Sequence, residues 1–312
     1  NKWAFFPSGA FSWKMHEERF IRNLNVFDVL KIRASYGISG NQGISAYQTL
    51  SRYGQHKYFN GGKWVTAIGP GYQSGTTGQD GIYALWSGIP NKGLKWETTA
   101  QVDLGLDMSF FGNRLNVTFD WYDKRTSDLL RERNIAPSSG YDKMWVNDGE
   151  IRNRGIELTI DGVAFQNRDW RVGGTFVFSR NRNKVVDMLD SYKLSNGTVI
   201  SQDSMVMGGT TGVKMVLREG GQIGDIYVNT LKTDEHGAIW VSPTGSNVAP
   251  AKDTWIYAGN SNPSYTLSWR NEFNWKGLSL GFMFNARVGG VGVSLTQAAM
   301  DYFGVSERTA TD

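Results

Sequence analysis

This sequence predicts an all-β fold, specifically a partial antiparallel transmembrane β-barrel with long extracellular loops. Three observations predict it. Apolar and polar residues alternate with a period of two over long runs, the polar sides of those runs carry charge, and short turns alternate with long connections.

The first alternating runs are Ser8 to Met15 and Leu30 to Tyr36. The clearest lies between Lys95 and Thr126. Trp96, Thr98, Ala100, Val102, Leu104, Leu106, Met108 and Phe110 share one side of an extended chain, and Glu97, Gln101, Asp103, Asp107 and Ser109 share the other. The turn Phe111-Gly112-Asn113-Arg114 keeps Phe110 and Leu115 on the same side. Leu115, Val117, Phe119 and Trp121 then alternate with Asn116, Thr118, Asp120 and Tyr122. A further hairpin runs from Ile156–Ile160, through Asn167-Arg168-Asp169, into Trp170 to Ser179. Another places Tyr265, Leu267, Trp269, Phe273 and Trp275 against Thr266, Ser268, Arg270 and Glu272. It turns at Lys276-Gly277 and returns from Leu278 to Val288.

Strand length separates the competing folds. Several runs hold their alternation over roughly 11 to 15 residues, whereas soluble strands average about 5–6 and membrane-crossing ones need roughly 9–11. Asp103, Asp107, Asp120, Arg270 and Glu272 on the polar side make a poor dry core and suit a wet lumen, with the Leu/Phe/Trp side turned to lipid. The competing fold is a soluble β-sandwich whose charged faces meet solvent. The connections are asymmetric as well. Turns after Phe110, near Arg168 and after Trp275 are short, while Gly40–Lys95, Ser127–Glu150 and Asn181–Pro263 are long and rich in Gly, Asn, Ser and Tyr. Short turns on one rim and long loops on the other are the habit of outer-membrane barrels.

Composition agrees and excludes other classes. The 312 residues are 13% aromatic with a mean hydropathy of -0.39, and no run of about 18 apolar residues provides a helical membrane span. A net charge of +4, evenly spread, gives no basis for nucleic-acid binding. Cysteine is absent, so disulfides, thiolate metal sites and cysteine nucleophiles are excluded. His16, His56 and His236 stand in no metal-ligand spacing, and no cofactor motif is present. Asp103 and Asp107 lie about 13 Å apart along one strand, too far to act as a catalytic carboxylate pair. Gly289-Gly290-Val291-Gly292 ends a strand with no βα unit behind it, so it reads as loop glycine. Asn116-Val117-Thr118 and Asn196-Gly197-Thr198 match the glycosylation sequon, but the first lies within a predicted strand and neither carries an argument. No enzymatic role is expected. Asn1 to Ala10 carries no signal-peptide progression, so the sequence reads as a piece of an exported chain.

Several blocks resemble the C-terminal half of the SusC/RagA-like, TonB-linked outer-membrane proteins. They are Leu30–Gly37 running into Gly40-Asn41-Gln42; Lys95–Thr99 with Gly105-Leu106-Asp107 and Asn113-Arg114-Leu115; Asp120–Leu130; and Asn147–Glu157. Asn181–Val185, Glu219–Gly224, Asn262-Pro263-Ser264 and Trp275–Leu278 follow in the family's order. Order and spacing cover nearly the whole chain. The family's N-terminal extension, TonB-contacting segment and plug are not in this sequence, and Thr311-Asp312 lacks the aromatic final strand. Residues 1–312 are therefore expected to be one partial barrel domain. It holds roughly nine or ten strands of about 22 in a closed family barrel, and cannot close alone.

The resemblance implies an outer-membrane transporter of a Gram-negative bacterium that imports glycans, oligosaccharides or oligopeptides. Its implied partners are a SusD-like surface lipoprotein, TonB acting through regions outside this sequence, and membrane lipid. The alternatives are a TonB-dependent siderophore receptor and an extracellular glycan-binding or glycan-cleaving β-domain. Aromatic platforms suit sugars, so Tyr58, Trp64, Tyr72, Tyr83, Trp86, Trp240, Trp255 and Tyr257 in the long loops are the candidate cargo or lid contacts, against simple loop packing. Trp121, Trp170, Trp269 and Trp275 are the candidate membrane-interface aromatics, and Asp103, Asp107, Asp120, Arg270 and Glu272 the candidate lumen residues.

Overall fold

A computed structural model of the chain describes residues 3–44, 53–70, 72–77, 83–134, 143–188, 192–193, 199–200, 204–210, 212–231, 236 and 250–309. The chain divides into two compact units, Asn1–Glu157 with Asn183–Asp203, and Leu158–Arg182 with Ser204–Asp312. The strands of the main sheet are β1 (Ser8–Lys14), β2 (Val29–Asn41), β3 (Glu97–Phe110), β4 (Leu115–Ser127), β5 (Glu150–Gln166), β6 (Trp170–Asp187), β7 (Tyr265–Trp275) and β8 (Leu278–Val288). By residue range, β5 and β6 each contribute to both units.

In the first unit the antiparallel order is β1-β2-β3-β4-β5. Its register is unbroken from Val29↔Ser109 to Asn41↔Glu97 and from Phe110↔Leu115 to Thr98↔Ser127. The β3–β4 turn is tight because Phe111, Gly112 and Asn113 all take positive φ, and Asn113 accepts a hydrogen bond from Ser109 (2.8 Å) while its amide donates to Asp28 (3.0 Å). In the second unit the order is β5-β6-β7-β8. Lys276 and Gly277, both at positive φ, make the two-residue β7–β8 turn whose twist matches its strands. At the β5–β6 turn the Asn167 side chain accepts from the amides of Asp169 (2.9 Å) and Trp170 (2.7 Å).

β7 and β8 match the sequence-based spans, and three other strands exceed them. β2 runs to Asn41, β5 starts at Glu150 and β6 reaches Asp187, because alternation continues past the apolar positions into polar residues that still pair. The long connections differ more from expectation, since they carry strands of their own. Tyr53–Asn60 pairs with Lys63–Pro70, Tyr72–Thr77 with Tyr83–Ile89, and Leu130–Asn134 with Lys143–Asn147; Lys143–Asn147 also adds in parallel to Tyr83–Ile89. In the second unit Ser204–Gly209, Val213–Arg218, Asp225–Leu231 and Pro250–Asn260 form a four-stranded antiparallel sheet. Connections this long are rarely structureless, and the aromatic and β-branched residues between their glycines supply the pairing surface. A helix, Leu295–Tyr302, capped by Ser294 accepting from the Gln297 amide (3.1 Å), follows β8 and was not anticipated. Eight strands form the main antiparallel sheet among the described residues.

Polar residues knit the loop ends to the first unit. Asn147 accepts from the Lys95 amide (2.6 Å) and donates to the carbonyls of Lys95 and Asp128 (both 3.0 Å), so one side chain ties three loop roots. Arg131 donates to Asp148 and to the Met188 carbonyl (3.0 Å), and Val185 in the same unit is 1% exposed. Among the described residues, only Leu30, Leu94, Val146, Val185, Met188 and Ile226 are buried hydrophobics. The two faces of the long strands therefore cannot be read as core and surface in the usual sense.

Candidate functional site

The polar face of β2, β3 and β4 is built of ion pairs. Registers Lys31↔Asp107, Arg33↔Gly105↔Asp120 and Ser35↔Asp103 align these side chains. Arg33 grips Asp107 with two bonds (Nε and Nη2, both 2.9 Å) and reaches Asp120 with Nη2 (2.8 Å), while Lys31 lies 3.6 Å from Asp107. The reach to Asp120 needs glycine at 105: a Cβ there would sit 2.5 Å from Arg33 Cζ and 2.6 Å from Asp120 Oδ1. Tyr122 lies over Gly155 for the same reason, since a Cβ at 155 would sit only 2.3 Å from the ring. Asp103 accepts from Ser35 (3.1 Å) and Gln101 (2.6 Å). Beside it lies a concavity of about 410 Å³ whose lining includes Ser8, Ser35, Ser39, Gln101 and Asp103. In the second unit Arg270 bonds Glu272, which also lies 3.9 Å from Arg171.

The opposite face is apolar and exposed. Phe11 is 63% exposed, Leu104 47% and Phe119 38% in the first unit; Trp269, Leu280 and Phe284 are also exposed in the second. Of the four candidate interface aromatics, Trp170 and Trp275 stack at 5.7 Å and 28° beside the short β5–β6 and β7–β8 turns. Trp121 stands opposite Leu104 on the apolar face of β4. Trp269 falls mid-strand between Phe176 and Phe284, in an aromatic row with Phe282 and Phe273.

Among the candidate loop aromatics, Trp64 is 69% exposed and meets Phe59 edge-on at 5.5 Å. Trp255 lies under the Lys214 ammonium at 3.8 Å, a cation–π contact. Tyr257 meets Tyr227 at 5.7 Å, and its phenol is raised above its ordinary value by desolvation, then by the charge of Asp225 and the hydrogen bond to it. Asp225 is 5% exposed and also accepts from the Gln222 amide (2.8 Å) and Asn260 (2.7 Å), fastening the Glu219–Gly224 turn to Asn260-Ser261-Asn262. The side chains of Tyr58, Tyr72, Tyr83 and Trp86, and all of Trp240, lie outside the described residues.

Sequence reasoning singled out Asp103, Asp107 and Asp120 but missed Lys31, Arg33, Gly105 and Gly155. The available signal was the glycine at 105 within an alternating run and at 155 at the entry to another, each marking a close approach by a neighbour. It also missed Asp123, Arg152 and Arg154, which form a second ionic cluster: Arg152 bonds Asp123 through two nitrogens and Arg154 Nε approaches it at 3.0 Å. Among the described residues no group of three His, Cys, Asp or Glu is placed to hold a metal, and no helix is long and apolar enough to cross a membrane.

An antiparallel wall whose apolar face is exposed and whose other face is closed by ion pairs has the architecture of a transmembrane β-barrel wall, not of a water-soluble sheet. The chain belongs to the TonB dependent receptor-like β-barrel family, whose family model matches residues 1–294. It is 32% identical over 308 residues to TonB-dependent receptor P3 of Formosa agariphila, covering 93% of this chain and 28% of that one. It is 28% identical over 269 residues to TonB-dependent receptor SusC of Bacteroides thetaiotaomicron, covering 82% and 25%. The fold is similar to that of the RagAB peptide importer in its closed-closed state, with a TM-score of 0.68, 22% identity, and coverage of 92% of this chain and 29% of that one. The chain thus spans between a quarter and three-tenths of the length of these relatives.

Proposed function

We propose that this chain is a stretch of wall and outer loops of a TonB-dependent transporter in the outer membrane of a Gram-negative bacterium. The whole receptor imports glycans or oligosaccharides with a SusD-like surface lipoprotein, driven through TonB. The carrying observation is the inside-out wall: Leu104 and Phe119 exposed on one face, and Arg33, Asp107 and Asp120 paired on the other. Lipid covers the first face and a water-filled lumen or a plug meets the second. Sugar cargo is favoured by the lumen-side concavity, where Ser8, Ser35, Ser39 and Gln101 offer hydroxyl and amide partners, and by Trp64 and Trp255 in the outer loops. No catalytic step is assigned to the chain.

The test is uptake of fluorescent oligosaccharides and oligopeptides by cells carrying or lacking the full-length receptor, the adjacent lipoprotein or TonB. Oligosaccharide uptake lost in all three deletions supports the reading. Loss of oligopeptide uptake alone reassigns the cargo, and uptake indifferent to the receptor and TonB overturns the transport role.

A further inference from the structure

We propose that the lipid-facing side of the wall, just beyond its apolar band, binds the phosphorylated headgroup of an outer-leaflet lipid through Arg125, Arg152, Arg154 and Lys184. The proposal rests on the outer-membrane placement above. On β4 the apolar face runs Leu115, Val117, Phe119, Trp121, and the next two positions on that face are Asp123 and Arg125. On β5, Ile156 gives way to Arg154 and then Arg152, which meet Asp123 on this same face. Asn183 bonds Asn153 (2.8 Å) on the opposite face, so alternation sets Lys184 beside Arg152 on the lipid side. The site lies at the end of the strands that leads to the long connections, because Ser127 runs on to Asp128 and the Leu130–Asn134 strand.

These four cations, with the exposed Arg182 two positions before Lys184 on the same face, stand over two carboxylates, and the carboxylates are the sheltered partners. The Asp123 and Glu150 side chains are 16% and 23% exposed, whereas those of Arg154 and Arg125 are 53% and 52% exposed. The acids hold the guanidiniums in place and leave their outer edges positive. Charge on a lipid-facing strand is costly in hydrocarbon but not at headgroup depth, where anionic groups attract Lys and Arg. The planar guanidinium fork matches a phosphate. A free phosphate could meet the same fork, but the adjoining exposed Leu104 and Phe119 would cover the acyl chains of a lipid, which favours the lipid.

The test uses the full-length receptor in non-ionic detergent, with native mass spectrometry after addition of bisphosphoryl lipid A, the same lipid stripped of phosphate, or inorganic phosphate. Retention of the phosphorylated lipid at least tenfold above the dephosphorylated one is expected. The variant D123N/R152Q/R154Q, which removes the acid together with its partners, should lower retention at least fivefold. If that variant fails to insert, R125Q/E150Q/K184Q, which spares the Asp123 cluster, should lower it at least twofold. Equal retention of both lipids, variants that retain lipid as the parent does, or binding of inorganic phosphate without lipid would overturn the proposal. Flotation of the parent receptor is read separately: failure to float with outer membranes removes the placement and the proposal with it.

Discussion

Arg33 on β2 donates to Asp120 on β4 at 2.8 Å, two strands away, by passing over Gly105 on β3. One glycine thus lets a single guanidinium join three strands on the polar face. Both side chains remain about one-third exposed, so the contribution of the pair is modest, about 0–1 kcal/mol.

Replacing that glycine should uncouple the pair. Gly105→Ala places a Cβ against the ends of two flexible side chains, so the wall survives but Arg33 must leave Asp120. Denaturant unfolding of the full-length receptor in a double-mutant cycle should show Asp120→Asn costing less in the Gly105→Ala background than in the parent.

The Tyr122–Gly155 contact leaves less room, because the ring itself fills the space above the glycine. Gly155→Ala should destabilise the receptor by about 1–3 kcal/mol through overpacking. Combining it with Tyr122→Ala should restore part of that loss, read by thermal unfolding in detergent.

Trp170 and Trp275 stack beside two short turns. Their pairing should contribute about 0.5–1.5 kcal/mol beyond area burial. A Trp170→Ala/Trp275→Ala cycle in liposomes should show that coupling, whereas Trp170→Ala with Trp269→Ala should show none.

The Tyr257 phenol is raised by desolvation and by Asp225. Its folded value lies above the unfolded one of about 10, so its linked stability is fully present below pH 10 and falls as pH rises through the folded value. The phenolate absorbance titration, taken as parent minus Tyr257→Phe, should have its midpoint lowered by Asp225→Asn.

Much of this was legible in the sequence. Period-two alternation specified both faces of β3, β4, β7 and β8, and the turns at Gly112 and Gly277 specified their registers. The ion pairs were half legible: Asp107 and Asp120 stand out on a polar face, but their partner Arg33 is reached only once three strands are aligned. The loop strands were hidden because Gly and Ser advertise turns more strongly than Val213–Arg218 or Asp225–Leu231 advertise pairing. Asn147 reads as a motif letter and Asp225 falls just past the Glu219–Gly224 block, yet both are loop knots, each satisfying several partners at once.

The central claim is that Leu104, Phe119 and their neighbours face lipid while Asp103 and Thr118 face water. Because residues 1–312 contain no cysteine, spin labels at Leu104→Cys, Phe119→Cys, Asp103→Cys and Thr118→Cys of the full-length receptor in outer-membrane vesicles report this most directly. The account predicts that relaxation at 104 and 119 responds to dissolved oxygen, and at 103 and 118 to a water-soluble nickel chelate. Chelate access at all four positions, or the reverse pattern, would contradict it.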